Sequence, residues 1–450
     1  MADLAKIVGI VAEYHPFHNG HLYQMQRARA MTGADYCVVF LSSYFVQRGM
    51  PALYSTRARA EAALRCGADA VFEIPSPFSS ASARDYAHFA VSLMSALGIT
   101  QLSCGAEGSS AEELSSLCDC IQEEAPVFRE CLRRELKNGL SFPAARRDAI
   151  LCALSAAGAE SAFLSRTEAL LVQPNTILAL EYTRAARECG APLCISLVPR
   201  KGSAYHESLL RGQFSSATAI RKHILSHGTA PITHPASLSE RRICHKNSSS
   251  KAPSDHAVFL KTLSAVMPPE ALSVFSALTP LNPDVLCGSI ERRVLDLLYE
   301  GQTLSDYADV SPALAARIAG ISLKAVSFEA LVSALKTRQY THTRVARALI
   351  HLFLGIKKRD MERWKADSSS LYARLLGFRH ESAALLSVLK QQASVPLLSR
   401  SAAAESVLTE PAARALFRAE LHAARLWNSL LFEATGSIAP DPLTQQVIVI

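Results

Sequence analysis

Residues 7–21 read Ile7-Val-Gly-Ile-Val-Ala-Glu-Tyr-His-Pro-Phe-His-Asn-Gly-His21. The first five, Ile7 to Val11, are apolar on both faces, the pattern of a strand buried in a parallel sheet. A turn rich in His and Pro follows, and Gly20 to Met31 has helical spacing. A strand that passes through such a turn into a helix is where a doubly wound fold holds a mononucleotide's phosphates. The centre of the turn, His18-Asn-Gly-His21, is an H-x-G-H. Gly20 has no side chain, so a nucleotide can approach the backbone. His18 and His21 are three residues apart and face one way on a first helical turn. As a pair of donors they suit a triphosphate and the charge that develops at its α-phosphorus. Two histidines at a turn would serve equally well as a helix cap. The buried strand before them and the helix after them favour the nucleotide.

Outward from this unit the alternation continues. Cys37–Leu41, Ala70–Ile74, Thr100–Cys104 and Leu193–Val198 read as buried strands, with Gly105 closing the fourth strand of the chain. Thr56–Cys66, Ala83–Leu97, Thr176–Cys189 and Ser216–Ser226 read as helices. The pattern predicts an α/β fold, a doubly wound parallel sheet with its ligand beyond the carboxyl ends of the strands. Ala111 to Ala157 is helical and charged, with a break expected at Pro143. Thr229 to Asp255 carries Pro231, Pro235, Pro253 and a Ser248-Ser-Ser250 run, the composition of a linker. Beyond it the spacing is helical to about Asn428, and Gln446–Ile450 reads as a short strand. At 450 residues the chain exceeds one hydrophobic core. The expected organisation is a nucleotide-binding domain at 1–228, a linker at 229–255 and a helical domain at 256–450.

Composition narrows the class. Hydrophobic residues at 49% and charged residues at 19% exclude a disordered chain. The net charge of +7 permits a polyanionic partner without requiring one. The 11 cysteines are odd in number, and the close pair Cys118 and Cys120 is C-x-C. They predict free thiols in a reducing cytoplasm rather than disulfides or a zinc site. Glu13 ends the N-terminal apolar run too early for a signal peptide, and no stretch approaches the ~20 apolar residues of a membrane span.

Four further stretches carry chemistry. Phe214-Ser-Ser-Ala-Thr-Ala-Ile-Arg221 opens a helix with Ser215, Ser216 and Thr218 and places Arg221 one turn on, where it can pair with phosphate. In Gln173-Pro-Asn-Thr-Ile-Leu-Ala-Leu-Glu181, Asn175 can cap a helix. Val198-Pro-Arg-Lys-Gly-Ser-Ala-Tyr-His206 puts Arg200 and Lys201 after a buried strand, on the ligand side of the sheet. Gln47-Arg-Gly49 follows the second strand on the same side.

Taken in order, these segments resemble the bacterial tRNA(Met) cytidine acetate ligase family, within the H-x-G-H nucleotidylyltransferases, whose domain carries a similar S-x-T-x-x-R helix. The resemblance is clear over residues 7–226 and extends less specifically to Thr337–Arg347. It implies an enzyme that activates acetate with ATP and acetylates the wobble cytidine of elongator tRNA(Met). By motif, the ATP site comprises Val11, Ala12, Glu13, Tyr14, His15, Pro16, Phe17, His18, Asn19, Gly20, His21, Leu22, Tyr23, Gln24, Gly105, Asn175, Arg200, Lys201, Ser216, Thr218 and Arg221, with His18 and His21 catalytic. His15 stands where asparagine is expected, Ser43-Tyr44 where a glycine-containing pair is, and Glu207 where aspartate is.

Acetate is already a nucleophilic anion, so attack on the α-phosphorus needs positioning and charge neutralisation rather than a general base. Mg²⁺ is expected with the triphosphate and no tightly bound metal elsewhere. Residues 331–367 hold nine Lys or Arg against three acids, with Tyr340, His342 and Trp364 interleaved. Lys336, Arg338, Arg344, Arg347, Lys357, Lys358 and Arg359 are the expected RNA contacts, a basic helical surface suited to an RNA backbone. Two other readings start from the same residues: a small-molecule adenylyltransferase, against which the long helical half argues, and a non-catalytic RNA-binding protein, against which the intact histidines argue.

Overall fold

The computed structural model describes residues 5–122, 125–201, 210, 212–228, 253–320 and 327–450. Its strands, in chain order, are β1 Ile7–Ala12, β2 Tyr36–Ser42, β3 Phe45–Val46, β4 Met50–Pro51, β5 Ala70–Ile74, β6 Gln101–Ala106, β7 Cys194–Pro199, β8 Ala373–Phe378, β9 Leu397–Leu398 and β10 Ile448–Val449. β3 and β4 form a small hairpin, and the others share one sheet.

The order β5-β2-β1-β6-β7 is parallel throughout. The chain winds outward from β1 through β2 and β5, then returns to the other side of β1 through β6 and β7. That reversal opens a crevice at the carboxyl ends of β1 and β6. Alternate residues of the strands supply two cores. Val8, Ile10, Val39 and Leu41 pack with Met25, Ala28, Ala60 and Ala63 from helices Asn19–Thr32 and Thr56–Arg65. Val38, Phe40, Phe72 and Leu102 pack with Ala87, Met94 and Leu180 from helices Ala83–Ala96 and Pro174–Glu188. The doubly wound expectation therefore holds for the first half of the chain.

The second half departs from expectation. It is not a self-contained helical body, because it delivers β8, β9 and β10 to the sheet, and β8 runs antiparallel to β5. A six-residue stretch such as Ala373–Phe378, with Arg374 set among apolar residues, cannot be told from a helical turn by periodicity, which is why it reads as helix in the sequence. The reason for the docking is ionic as well as apolar. Arg374 on β8 meets the Glu73 carboxylate of β5 at 2.9 Å, with both side chains buried. Glu420, from the long helix Pro411–Thr435, accepts from the Ser43 hydroxyl and the Ser76 N–H at the same place. Burial, then the neighbouring Glu73, pushes the Glu420 carboxyl up to about 8. Buried residues beyond 256 belong to the same two cores: Met267 and Phe275 to one, Leu349 and Leu416 to the other.

Other boundaries shift as well. Residues 229–252 of the expected linker lie outside the described residues, and Pro253 already begins a helix to Ser264. Pro143 does not break a helix but sits in the first turn of Phe142–Ala156, where its missing N–H costs nothing. The tail strand forms at Ile448–Val449. The nine cysteines whose surroundings are described are free thiols. No helix among the described residues is long and apolar enough to cross a membrane.

Gly49 shows how tightly the halves meet. Its φ is +76°, and a Cβ there would lie 2.4 Å from the Arg347 backbone nitrogen of helix His342–Leu354. Gly33 has φ +63° with open space around it. Gly33→Ala is expected to cost about 1 kcal/mol, the left-handed penalty alone. Gly49→Ala adds a backbone clash and is expected to cost at least about 3 kcal/mol. Denaturant unfolding of the two variants checks the difference, and equal losses would mean the two halves are not packed this closely.

Candidate active site

The loop after β1 is held from below. Ala12, Tyr14, His15, Pro16 and Phe17 are buried, whereas Val11, Glu13 and His18 through Gln24 are half-buried. Tyr14, with φ 44°, packs edge-on to Phe17 at 4.6 Å and against the His21 ring at 4.9 Å. Arg59, fully buried, donates to the carbonyls of Glu13 at 2.6 Å, Ser42 at 2.8 Å, Ser43 at 2.5 Å and Tyr54 at 3.1 Å. This one guanidinium ties together the chain leaving β1 and β2. Burial pushes it down to about 10. His15 accepts the Leu53 N–H at Nδ1, 3.0 Å away, and its carbonyl accepts from Arg221 at 2.8 Å. Burial, followed by Arg221, Arg59 and Arg48, keeps the His15 imidazole well below its usual range.

His18 caps helix Asn19–Thr32 in extended backbone. Its Nδ1 accepts the Gly20 N–H at 3.0 Å, and His21 Nδ1 accepts the His18 N–H at 3.3 Å. An imidazole accepting at Nδ1 is neutral and carries its proton on Nε2. The two rings stack at 3.8 Å. Capping thus takes one edge of each ring: Nδ1 faces the helix and Nε2–H is left as a donor. Burial, then Arg200 and Arg221, lowers His18 to about 3. Burial, then His18 and Arg200, holds His21 well below its usual range. Gly20 serves this geometry directly, since a Cβ there would lie 2.8 Å from the His18 ring. The space that the sequence assigns to a nucleotide beside Gly20 belongs to that imidazole. Asn19 fastens the helix start to the rest of the chain, donating to the carbonyls of Gln213 at 3.0 Å and Ala265 at 3.2 Å.

The opposite wall rises from β6 and β7. Gly105 lies in β6, and a Cβ at this position would meet no atom within 4 Å, so there is open space beside it. Glu107, one residue past β6, accepts from Asn175 Nδ2 at 2.5 Å and from the Thr176 N–H at 3.0 Å, and lies 3.6 Å from Arg200. Sequence reasoning missed Glu107. Its only signal is its position directly after a buried strand. Lys201 sits over the Tyr23 ring at 4.7 Å. Ser216 caps its helix by accepting the Ala219 N–H at 3.1 Å. Thr218 accepts from Arg221 at 3.1 Å. Arg221, expected as a phosphate partner one turn along the helix, thus anchors the loop through His15 as well. Gln24 reaches the Ser103 carbonyl at 3.5 Å. Tyr205, His206 and Glu207 lie outside the described residues.

The basic segment divides. Lys336, Arg338 and Arg359 are exposed, and Arg344 is half-buried over the Tyr340 ring at 5.3 Å. Arg347 is not a surface cation: it grips Asp309 with two bonds, at 2.9 and 3.3 Å. Lys358 donates to the Ser305 carbonyl at 2.6 Å and Lys357 to Gln302 at 3.3 Å. Tyr340 and Trp364 are buried, so neither ring offers a face for an unstacked base. Asp309, His351 and Ser80 line up as a Ser-His-Asp series, but His351 and Ser80 are sealed in the core and Asp309 is held by Arg347.

The family model for the HIGH nucleotidyl transferases matches residues 5–438. A tRNA(Met) cytidine acetate ligase of Acetivibrio thermocellus is 31% identical over 397 residues, 87% of this chain and 88% of the relative. The enzyme of that name in Bacillus subtilis is 32% identical over 400 residues, 88% and 87% of the two chains. The chain belongs to this family. The fold agrees: Thermotoga maritima TmcAL without ligand superposes with a TM-score of 0.83 at 25% identity, and its complex with alpha-thio ATP with 0.82 at 24%, each covering 99% of both chains. Membership in the tRNA(Met) cytidine acetate ligases gives the stacked imidazoles their context, an H-x-G-H at a sheet's switch point.

Removing either imidazole is expected to lower nucleotide activation about 10²–10³-fold, the loss typical of one preorganised donor. His18→Ala and His21→Ala should stay folded, since a lost cap costs only about 1 kcal/mol. Pyrophosphate release with each folded variant measures this, and near-normal turnover in both would remove the histidines from the chemistry. A pH effect follows separately. Below 6.5 the unfolded chain takes up a proton that folded His18 refuses until about 3. Stability from this group is therefore complete above 6.5 and lost as pH falls through that window. His18→Asn keeps a capping acceptor and removes the titration, so its thermal midpoint should fall less between pH 7 and pH 4 than that of the parent.

Proposed function

We propose that this protein is an ATP-dependent acetate ligase acting on the wobble cytidine of elongator tRNA(Met). The observation that carries the reading is the pair of Nε2–H donors at the start of helix Asn19–Thr32, in a chain whose relatives bear that name. In the first step an acetate oxygen attacks the α-phosphorus of ATP and pyrophosphate leaves, giving acetyl-adenylate. The neutral imidazoles, the N-terminal N–H groups and the nearby Arg200 stabilise charge on the departing oxygens. In the second step the exocyclic amine of cytidine attacks the acetyl carbonyl, loses a proton and displaces AMP, leaving N4-acetylcytidine.

Among the described residues no group of three or more His, Cys, Asp or Glu side chains is placed to hold a metal. The nearest carboxylates are engaged: Glu13 by the Gln47 N–H and Arg48, and Glu107 by Asn175 and Thr176. This donor set fits Mg²⁺ carried on the triphosphate's own oxygens and water, where it would neutralise phosphate charge.

The tRNA reading rests on Lys336, Arg338, Arg344 and Arg359. Helix His342–Leu354 abuts the loop that carries Arg48, and Arg48 lies 3.6 Å from Glu13 of the nucleotide loop. Arg344, one turn before that contact on the same helix, would draw a polyanion toward the adenylate. Residues 1–228 would supply the activation chemistry, and the chain beyond 256 would hold the RNA.

Pyrophosphate release from ATP with a panel of carboxylates, with and without tRNA, tests the first step. Acetate-dependent release is expected, and its absence with every carboxylate would overturn the reading. Charge reversal of Lys336, Arg338 and Arg359 together is expected to spare that release and to abolish tRNA acetylation. It should flatten the salt dependence of tRNA binding by about two to three logarithmic units per unit of log salt, the share of three phosphate contacts. An unchanged slope would move the RNA surface elsewhere.

A further inference from the structure

Glu107 knits together the β6–β7 wall of the crevice and belongs to neither the histidine turn nor the helix that carries Arg221. It leaves β6 at the carboxyl end, and its partners lie 68 and 69 positions further along the chain. One oxygen accepts from Asn175 Nδ2 at 2.5 Å. The other accepts from the Thr176 N–H at 3.0 Å and lies 3.3 Å from the Thr176 hydroxyl. Helix Pro174–Glu188 has no capping side chain of its own at Gln173, so Glu107 caps it from another element. A carboxylate there satisfies the N–H groups and the positive end of the helix. This N-terminus is thus already supplied with an anion, unlike that of helix Asn19–Thr32. On the nucleotide reading the triphosphate goes to the histidines and Arg200, and the uncharged nucleoside to the Asn175 side of the β6 end, where Gly105 leaves open space.

The orientation of Asn175 follows. A carboxylate only accepts, so the atom facing Glu107 must be the amide NH₂. The amide carbonyl then turns away from Glu107 and has no hydrogen-bond partner among the described residues. Adenine presents an amine at its 6-position, whereas guanine and hypoxanthine present an oxygen there. An oriented carbonyl accepts from the first and repels the other two.

We propose that Glu107 is a positioning residue that fixes the Asn175 amide with its carbonyl toward the nucleoside, so that the site selects a purine carrying an exocyclic 6-amine. The inference rests on the nucleotide reading given above. Glu107 also lies 3.6 Å from Arg200, keeping that guanidinium at the end of β7.

The test compares binding of ATP and ITP, which differ at that purine position by amine against oxygen, in calorimetric titrations without acetate. Wild type should prefer ATP by about 10- to 100-fold, the scale of one oriented hydrogen bond. In Glu107→Gln the single side-chain oxygen goes to the fixed Thr176 N–H, and the new NH₂ faces Asn175. The Asn175 amide then flips and offers its own NH₂ to the base. The ATP preference should fall at least tenfold or invert toward ITP. Asn175→Ala should abolish the preference without inverting it, and it carries the test if Glu107→Gln does not fold. A merely structural Glu107 would weaken both nucleotides alike, so an unchanged ATP-to-ITP ratio overturns the proposal. A wild type that binds neither nucleotide would bring down the nucleotide reading itself, a result distinct from binding with an unaltered ratio.

Discussion

A buried guanidinium sets the geometry on which this molecule depends. Among the described residues Arg59 is hydrogen-bonded by backbone carbonyls and the Thr56 hydroxyl rather than by a carboxylate. A cation in the core is tolerable only when its donors are all met, and here Nε and both Nη atoms are. The carbonyls it collects belong to chain leaving β1, chain leaving β2 and the approach to helix Thr56–Arg65. Without that cation these carbonyls, all on the β1–β2 side of the crevice, would be buried without a donor. The sheet therefore opens where a ligand is needed while its carboxyl ends stay fixed.

A second ionic cluster joins what the chain order separates. Glu73 on β5, Arg374 on β8 and Glu420 on helix Pro411–Thr435 meet around Ser43. Ser43 also gives its carbonyl to Arg59, so the two clusters share a residue. The Ser43-Tyr44 departure from the family pattern acquires a physical account: the hydroxyl holds Glu420, and the Tyr44 ring packs against Trp427 at 5.5 Å. The helical half is thus a wall of the same core rather than an appended module.

What the sequence disclosed follows from the range of the interactions involved. β1, the turn and helix Asn19–Thr32 are legible because strand period, cap and H-x-G-H are all local. That the two imidazoles face one way is also legible from their spacing. The engagement of Arg347 is not, because its Asp309 partner is 38 positions away and charge counts carry no partners. β8 is hidden because a six-residue stretch with one arginine fits either element, and only the pairing of Arg374 with Glu73 on a distant strand decides. Glu107 is hidden for the same reason: nothing near Ala106-Glu-Gly108 announces the helix that it caps.

The antiparallel pairing of β8 with β5 has a consequence for biogenesis. Arg374 is 301 positions beyond Glu73, so β5 emerges from the ribosome long before its partner exists. At about 5–20 residues per second the interval is roughly 15–60 s. During that time β5, five fully buried residues in the finished protein, presents an open edge. Until residue 373 is made, the nascent chain therefore carries an unpaired apolar edge of the kind that pairs with other chains.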